Sequence, residues 1–123
     1  ERMQAPELLF DPSLIGQESY GVHQCLHQSI QKCDLEIRKT LLRQIVIAGG
    51  STLFSGFGDR LLSEMRRLVS SNSKIRISAP PERKYSAWIG GSILASLASF
   101  KGLWVTAEEW AEYGPNILHK KMF

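Results

Sequence analysis

Ile45-Val46-Ile47-Ala48-Gly49-Gly50-Ser51-Thr52-Leu53-Phe54 is an apolar run that enters a double glycine, meets two hydroxyl residues and leads toward a helix. A short apolar piece that runs into glycines reads as a strand and the amphipathic pattern after it as a helix, and the helix-strand-helix-strand-helix order around it indicates an α/β architecture. At the carboxyl end of such a strand, a turn without Cβ atoms lets main-chain N–H groups approach a phosphate or ribose. A following helix adds its positive dipole end. The same pattern also serves as a plain tight turn. It is neither the GxxxxGK phosphate loop nor the GxGxxG fingerprint, because after Gly56-Phe57-Gly58 it is Leu61 that stands where a third glycine belongs.

Outward from this stretch, helix and strand patterns alternate. Ala5-Pro6-Glu7 and Asp11-Pro12-Ser13 punctuate a loop-rich start, with the apolar pieces Leu8-Leu9-Phe10 and Leu14-Ile15 too short to be elements with a core of their own. Val22, Cys25, Leu26, Ser29, Ile30 and Cys33 recur at helical spacing, predicting a helix from Tyr20 to Gln31 with both cysteines on its buried side. Asp34 is expected to cap a second helix, with Leu35, Ile37, Leu41 and Leu42 inward and Arg38, Lys39 and Arg43 outward. After the strand Ile45–Ala48, Leu61, Leu62, Met65, Leu68 and Val69 form the apolar stripe of a helix from Asp59 to Val69. Ser70-Ser71-Asn72-Ser73 is a polar loop, and Lys74 to Ser78 alternates as a strand with one wet face until Ala79-Pro80-Pro81 stops it. A long helix from Tyr85 to Leu97 and a shorter one from Ala107 to Tyr113 precede a basic, apolar tail.

Composition narrows the function classes. With 123 residues and 43% hydrophobic content the chain suits about one modest domain with a real core. Its longest apolar candidate, Trp88 to Leu97, falls short of the roughly 20 residues that span a bilayer and contains Gly90, Gly91, Ser92 and Ser96, so no membrane insertion is expected. Residues 1–20 show no signal peptide, and the first residue is not methionine, which suggests a segment of a longer chain. Cys25 and Cys33 on one helical stretch argue against a disulfide and fit a reducing compartment. The net charge of +3 is uneven: −1 over residues 1–56, +4 over 57–84 and zero over 85–123. Arg60, Arg66, Arg67, Lys74, Arg76, Arg83 and Lys84 are spread over several elements with little aromatic interleaving. They read as a solvated face with one or two functional bases, without direct nucleic-acid binding.

Other constellations are weaker. His23 and His27 share a helix face but Cys25 points about 160° away from it, which leaves too few donors for a metal. Glu108, Glu109 and Glu112 read as a solvated acidic cluster. Gly91, Ala95 and Ser99 make a small-residue face, and the opposite set of Ile89, Ile93, Leu94 and Leu97 is core or a groove for a partner helix.

Pro80-Pro81-Glu82-Arg83-Lys84-Tyr85-Ser86 and Trp88-Ile89-Gly90-Gly91-Ser92-Ile93-Leu94-Ala95-Ser96-Leu97 resemble the carboxyl-terminal signature of the actin family. Glu1-Arg2, Ala5-Pro6-Glu7, Glu18-Ser19, Lys32-Cys33-Asp34, Gly49-Gly50 and His119-Lys120-Lys121 follow in the family's order and spacing. Within the family, Gly49 to Phe54, Gly56 to Glu64 and Ile75 to Pro80 are most similar to the centractin branch found in dynactin, whereas Pro81 and Lys84-Tyr85 look like conventional actin.

The resemblance implies the carboxyl-terminal third of an actin-like (ribonuclease H-like) ATPase fold covering part of both lobes. Residues 1–17 would close an outer small subdomain, 18–85 would form the inner subdomain of the nucleotide-clasping lobe, and 86–123 would return to the other lobe. It implies ATP or ADP with a divalent cation, Mg or Ca, held mainly by the missing part of the chain. Gly49, Gly50 and Ser51 would lie beside sugar and phosphates, Leu53 and Phe54 beside the base, and Lys84 near the adenosine. Phe54 replaces a more usual tyrosine. The segment would carry no catalytic residue of its own, and the intact protein would be a slow, assembly-linked ATPase.

Two surfaces also follow from the resemblance. Ile89, Ile93, Leu94, Leu97, Ser99 and Leu103 would line a partner cleft, with Leu103 in place of a methionine. Asp34, Leu35, Arg38, Ser71 and Asn72 would make a filament contact. Gln17 stands where conventional actin has methionine, and Met122 stands where it has cysteine. The implied function is a cytoplasmic, cytoskeletal protein of a short dynactin-type filament supporting microtubule-based transport, with itself and actin-binding or dynactin-type proteins as partners. A divergent conventional actin and an actin-related subunit of a chromatin-remodelling complex are the alternatives.

Overall fold

The computed structural model describes residues 4–121, so readings of Glu1, Arg2, Met122 and Phe123 lie outside the described residues. Two compact units divide the chain, Glu1–Tyr85 and Ser86–Phe123. In the first, α1 (Gln4–Glu7) and a 3-10 turn (Pro12–Ile15) precede α2 (Val22–Gln31) and α3 (Leu35–Arg43). Strand β1 (Ile45–Val46), a 3-10 turn (Gly50–Leu53), α4 (Phe57–Leu68) and β2 (Ile77–Ser78) follow. The strands pair in parallel, Ile45 opposite Ile77 and Val46 opposite Ser78, so α4 is the crossover of a βαβ unit. Both are shorter than their apolar patterns predict, although pairing persists past the ladder, where the Ile47 N–H donates to the Ser78 carbonyl at 3.0 Å.

Packing is centred on α4. Met65 is 0% exposed, and Leu61 and Phe57 are buried with it against Phe10, Ile30, Leu42 and Ile47. The helix starts at Phe57, two residues before the predicted Asp59, because Gly56 takes a left-handed conformation (φ 75°) that closes the preceding turn. Leu68, predicted on the stripe, is exposed.

Several orientations differ from the sequence reading. Cys25 is exposed and Val22 faces outward with it, because α2 turns Leu26 and Ile30 to the core. His23 comes inward on that side, stacks on Phe10 at 5.9 Å, and has its Nδ1 buried with no hydrogen-bond partner among the described residues. In α3 only Leu42 is buried; Ile37 is exposed and Leu35 is 77% exposed. Asp34 stands at the N-cap, but its side chain makes no capping bond.

The amino-terminal segment is fastened by charge and by close approach. Arg60 grips Glu7 with two hydrogen bonds of 2.6 and 2.8 Å, reaches Glu64 at 3.0 Å and lies over the Phe10 ring at 5.0 Å. Burial pushes the Glu64 carboxyl up, but its bonds to Arg60 and the Arg67 charge hold it below the usual carboxylate range. Gly21 abuts the Phe10 backbone while the Val22 N–H donates to the Leu9 carbonyl at 2.8 Å.

The second unit holds α5 (Ser86–Ser96), a 3-10 segment (Ala98–Leu103), α6 (Ala107–Tyr113) and α7 (Asn116–Lys121), the last a helix within the stretch whose pattern predicts only a basic, apolar tail. No single helix among the described residues is long and apolar enough to cross a membrane. Ile117 is buried, whereas α5 has no buried residue and Trp88 is 79% exposed. Glu109 is not merely solvated. It completes a capping box with Thr106, and its carboxylate pairs with Lys121 Nζ at 2.7 Å.

A Cβ at Gly21 would come within 2.1 Å of the Phe10 carbonyl oxygen, a backbone atom that cannot swing aside. Gly21→Ala is therefore expected to lower stability by about 1–3 kcal/mol in denaturant unfolding, the usual cost of overpacking. The Lys121 ammonium, then the Thr106 N–H, hold Glu109 below the ordinary carboxylate range. Its contribution should be complete above that range and fade as pH falls through the lowered value. Lys121→Met should move the Glu109 titration, followed by NMR, back toward ordinary.

Candidate functional site

At the carboxyl end of β1, Gly49 takes φ 98° and ψ 158°, a conformation open in practice only to glycine. The chain then enters a single 3-10 turn, in which Gly49 O accepts from the Thr52 N–H at 3.2 Å and the Thr52 hydroxyl at 2.8 Å. That bonding pattern leaves the first N–H groups of the turn, those of Gly50 and Ser51, for an outside acceptor. No atom lies within 4 Å of a Cβ built on Gly49 or Gly50, so a ligand could meet the backbone closely. The Gly49 N–H, by contrast, is committed to the Arg83 carbonyl at 2.9 Å.

Because the strands are parallel, the chain leaving β2 emerges on the same edge as the turn after β1. A turn over residues 80–85 follows, in which the Arg83 N–H donates to the Pro80 carbonyl at 3.1 Å and the Tyr85 N–H to the Glu82 carbonyl at 2.8 Å. The bond from Gly49 to Arg83 brings this turn, and with it Lys84, beside Gly49–Phe54. Lys84 is exposed, and its Nζ lies over the Tyr85 ring at 5.2 Å. Gly50, Ser51, Leu53 and Phe54 are all exposed.

Phe54 also lines a cavity of about 400 Å³ with Pro6, Phe10, Phe57 and the Arg60–Glu7 pair. The arrangement offers backbone donors at Gly50 and Ser51, an apolar edge and the exposed Lys84 ammonium. These are the elements that fit the sugar and base end of a nucleotide. Among the described residues no group of three or more metal-donating side chains comes together. Sequence reasoning missed Arg83, which it counted only among the scattered cations. Arg83 donates from Nε to Thr52 Oγ1 at 3.0 Å and from Nη2 to Thr52 O at 3.0 Å.

The other predicted surfaces divide. Leu35 and Arg38 line a groove of about 550 Å³ with Ser70 and Ser73, while Asn72 lines a neighbouring pocket with Lys39, Arg43 and Lys74. Asp34 and Ser71 are exposed. Arg38 is already engaged at the end of α2, donating to the carbonyls of Gln31 and Cys33 at 2.7 and 2.9 Å. In the second unit Ile89, Ile93, Leu94, Leu97, Ser99 and Leu103 are all exposed.

Comparison with known proteins bears on the whole chain. The family model described as Actin matches residues 1–123. The chain is also similar to an actin-like protein of Neurospora crassa, 54% identical over 121 residues, which cover 98% of this chain and 32% of that protein. The chain thus spans about a third of the length of the relative it matches.

The two glycines should separate on substitution. Gly49→Ala forces an L-residue into a positive-φ conformation and is expected to cost about 1–3 kcal/mol. Gly50→Ala adds a methyl group to open space and should leave the unfolding free energy within about 0.5 kcal/mol of the parent.

Proposed function

Since the chain belongs to the actin family, we propose that the protein it represents is a nucleotide-binding, filament-forming actin-related protein. In this reading Gly50 and Ser51 present backbone donors to the sugar and phosphates, Leu53 and Phe54 flank the base, and Lys84 donates to adenosine acceptors. Phe54 keeps an apolar face and gives up a phenolic hydroxyl. ATP with a divalent cation, held mainly by other segments of an actin-like chain, would supply the terminal phosphoanhydride bond, and its slow hydrolysis by water to ADP and phosphate would time filament assembly. The observation that carries the reading is the exposed turn behind Gly49, held in a glycine-only conformation beside the Lys84 turn.

The finer assignment is a short dynactin-type filament in a cytoplasmic, cytoskeletal setting. It is supported by the centractin-like strings Gly49 to Phe54 and Gly56 to Glu64. The groove of Leu35, Arg38, Ser70 and Ser73 suits a contact with another filament subunit, and the exposed Ile89, Ile93 and Leu97 suit a partner helix. Pro81 and Lys84-Tyr85 favour the second reading, a divergent conventional actin.

Full-length protein is expected to retain ATP or ADP through gel filtration, to form short filaments at micromolar concentration and to co-purify with dynactin subunits. Phe54→Ala should weaken nucleotide binding roughly tenfold, the order expected for losing one base-stacking face. Absence of both bound nucleotide and filaments would overturn the reading. Long, dynamic filaments would favour conventional actin.

A further inference from the structure

We infer that Arg83 is the positioning residue that holds the Gly49–Phe54 turn in its ligand-ready shape, an inference that rests on the nucleotide reading above. The turn needs outside support. A single 3-10 turn has poor hydrogen-bond geometry and cannot persist alone, and its first two positions are glycines with the widest conformational freedom. Arg83, thirty-one residues away from Thr52, reaches both ends of it. Its carbonyl accepts the Gly49 N–H at 2.9 Å, and its guanidinium donates to Thr52 Oγ1 and Thr52 O, each at 3.0 Å. A third bond, from Nη1 to the Pro80 carbonyl at 3.1 Å, ties the same fork to its own turn.

The bonds form a relay. The Thr52 hydroxyl accepts a hydrogen bond from Arg83 and donates its own to Gly49 O at 2.8 Å, so the position of the guanidinium sets the closure of the turn. The planar fork satisfies three oxygens at fixed angles, which a lysine ammonium on a flexible stem cannot reproduce. Leu53 and Phe54 hang from the far end of the turn. Loosening it would therefore blur base recognition as well as weaken binding, because the ordering cost would fall on the ligand.

The test uses full-length protein and its Arg83→Met, Arg83→Lys and Thr52→Val variants. It measures release of a fluorescent adenine nucleotide, the ratio of ATP to GTP affinity, and amide hydrogen exchange over residues 49–54 without nucleotide. Arg83→Met is expected to speed release about tenfold or more, the scale of two charge-assisted hydrogen bonds, to lower the ATP-to-GTP ratio and to raise exchange in the turn. Arg83→Lys should restore part of each, and Thr52→Val should show a smaller change in the same direction. A lower melting temperature with release, base preference and turn exchange unchanged would overturn the inference. Where Arg83→Met fails to fold, unchanged release and exchange in both milder variants would overturn it equally. If the parent binds no adenine nucleotide, the functional reading falls, whereas exchange over residues 49–54 still reports whether Arg83 holds the turn.

Discussion

The parallel pairing of Ile45 with Ile77 is the constraint on which the rest of the first unit depends. Two parallel strands must be joined by a crossover, and α4 supplies it by burying Leu61 and Met65 against the strands and α2. Their carboxyl ends then fall on one edge, where ligands of open α/β sheets gather. That is why the Gly49 turn and the Arg83 turn meet although more than thirty residues separate them. The ladder itself is short, so its geometry is maintained by α4 packing and by hydrogen bonds beyond it, including Gly49 to Arg83.

A second anchor secures the amino-terminal segment. Arg60 uses its whole fork, two bonds to Glu7 and one to Glu64, while its guanidinium plane covers Phe10. Exposed ion pairs contribute little one at a time, but a bidentate pair backed by an aromatic face and a second carboxylate is a network. Phe10 in turn meets Phe57 at 5.4 Å, and the Phe57 N–H donates to the Phe54 carbonyl at 3.1 Å. One continuous set of contacts thus runs from Glu7 to the aromatic residue proposed to flank the base.

The second unit has a different character. Its α5 carries apolar residues on every side and buries none of them, the pattern of a helix suited to cover from several directions. The α6–α7 pair is more self-contained, closed by Glu109, Lys121, the Trp104 carbonyl and the cation–π contact of Lys120 with Tyr113 at 4.3 Å.

Local pattern was enough for the α/β class, the existence of α2 to α6, and the glycine turn, because each rests on short-range periodicity or on a residue type with one conformational use. The family strings extended that reading to named surfaces, since WIGGSILASL carries far more information than any hydrophobic period. Which face is buried was legible in part: Leu61 and Met65 of α4, Ile30 of α2 and Leu42 of α3 are in the core as their spacing predicts, but the rest of the α2 and α3 stripes is not. Cys25 and Leu35 follow the apolar spacing yet face outward, because the position of α4 decides which stripe of α2 and α3 meets the core. Nor could the role of Arg83 be seen among seven neighbouring cations: a guanidinium gains meaning only from the carbonyls it reaches, and the parallel register alone brought Thr52 within its reach.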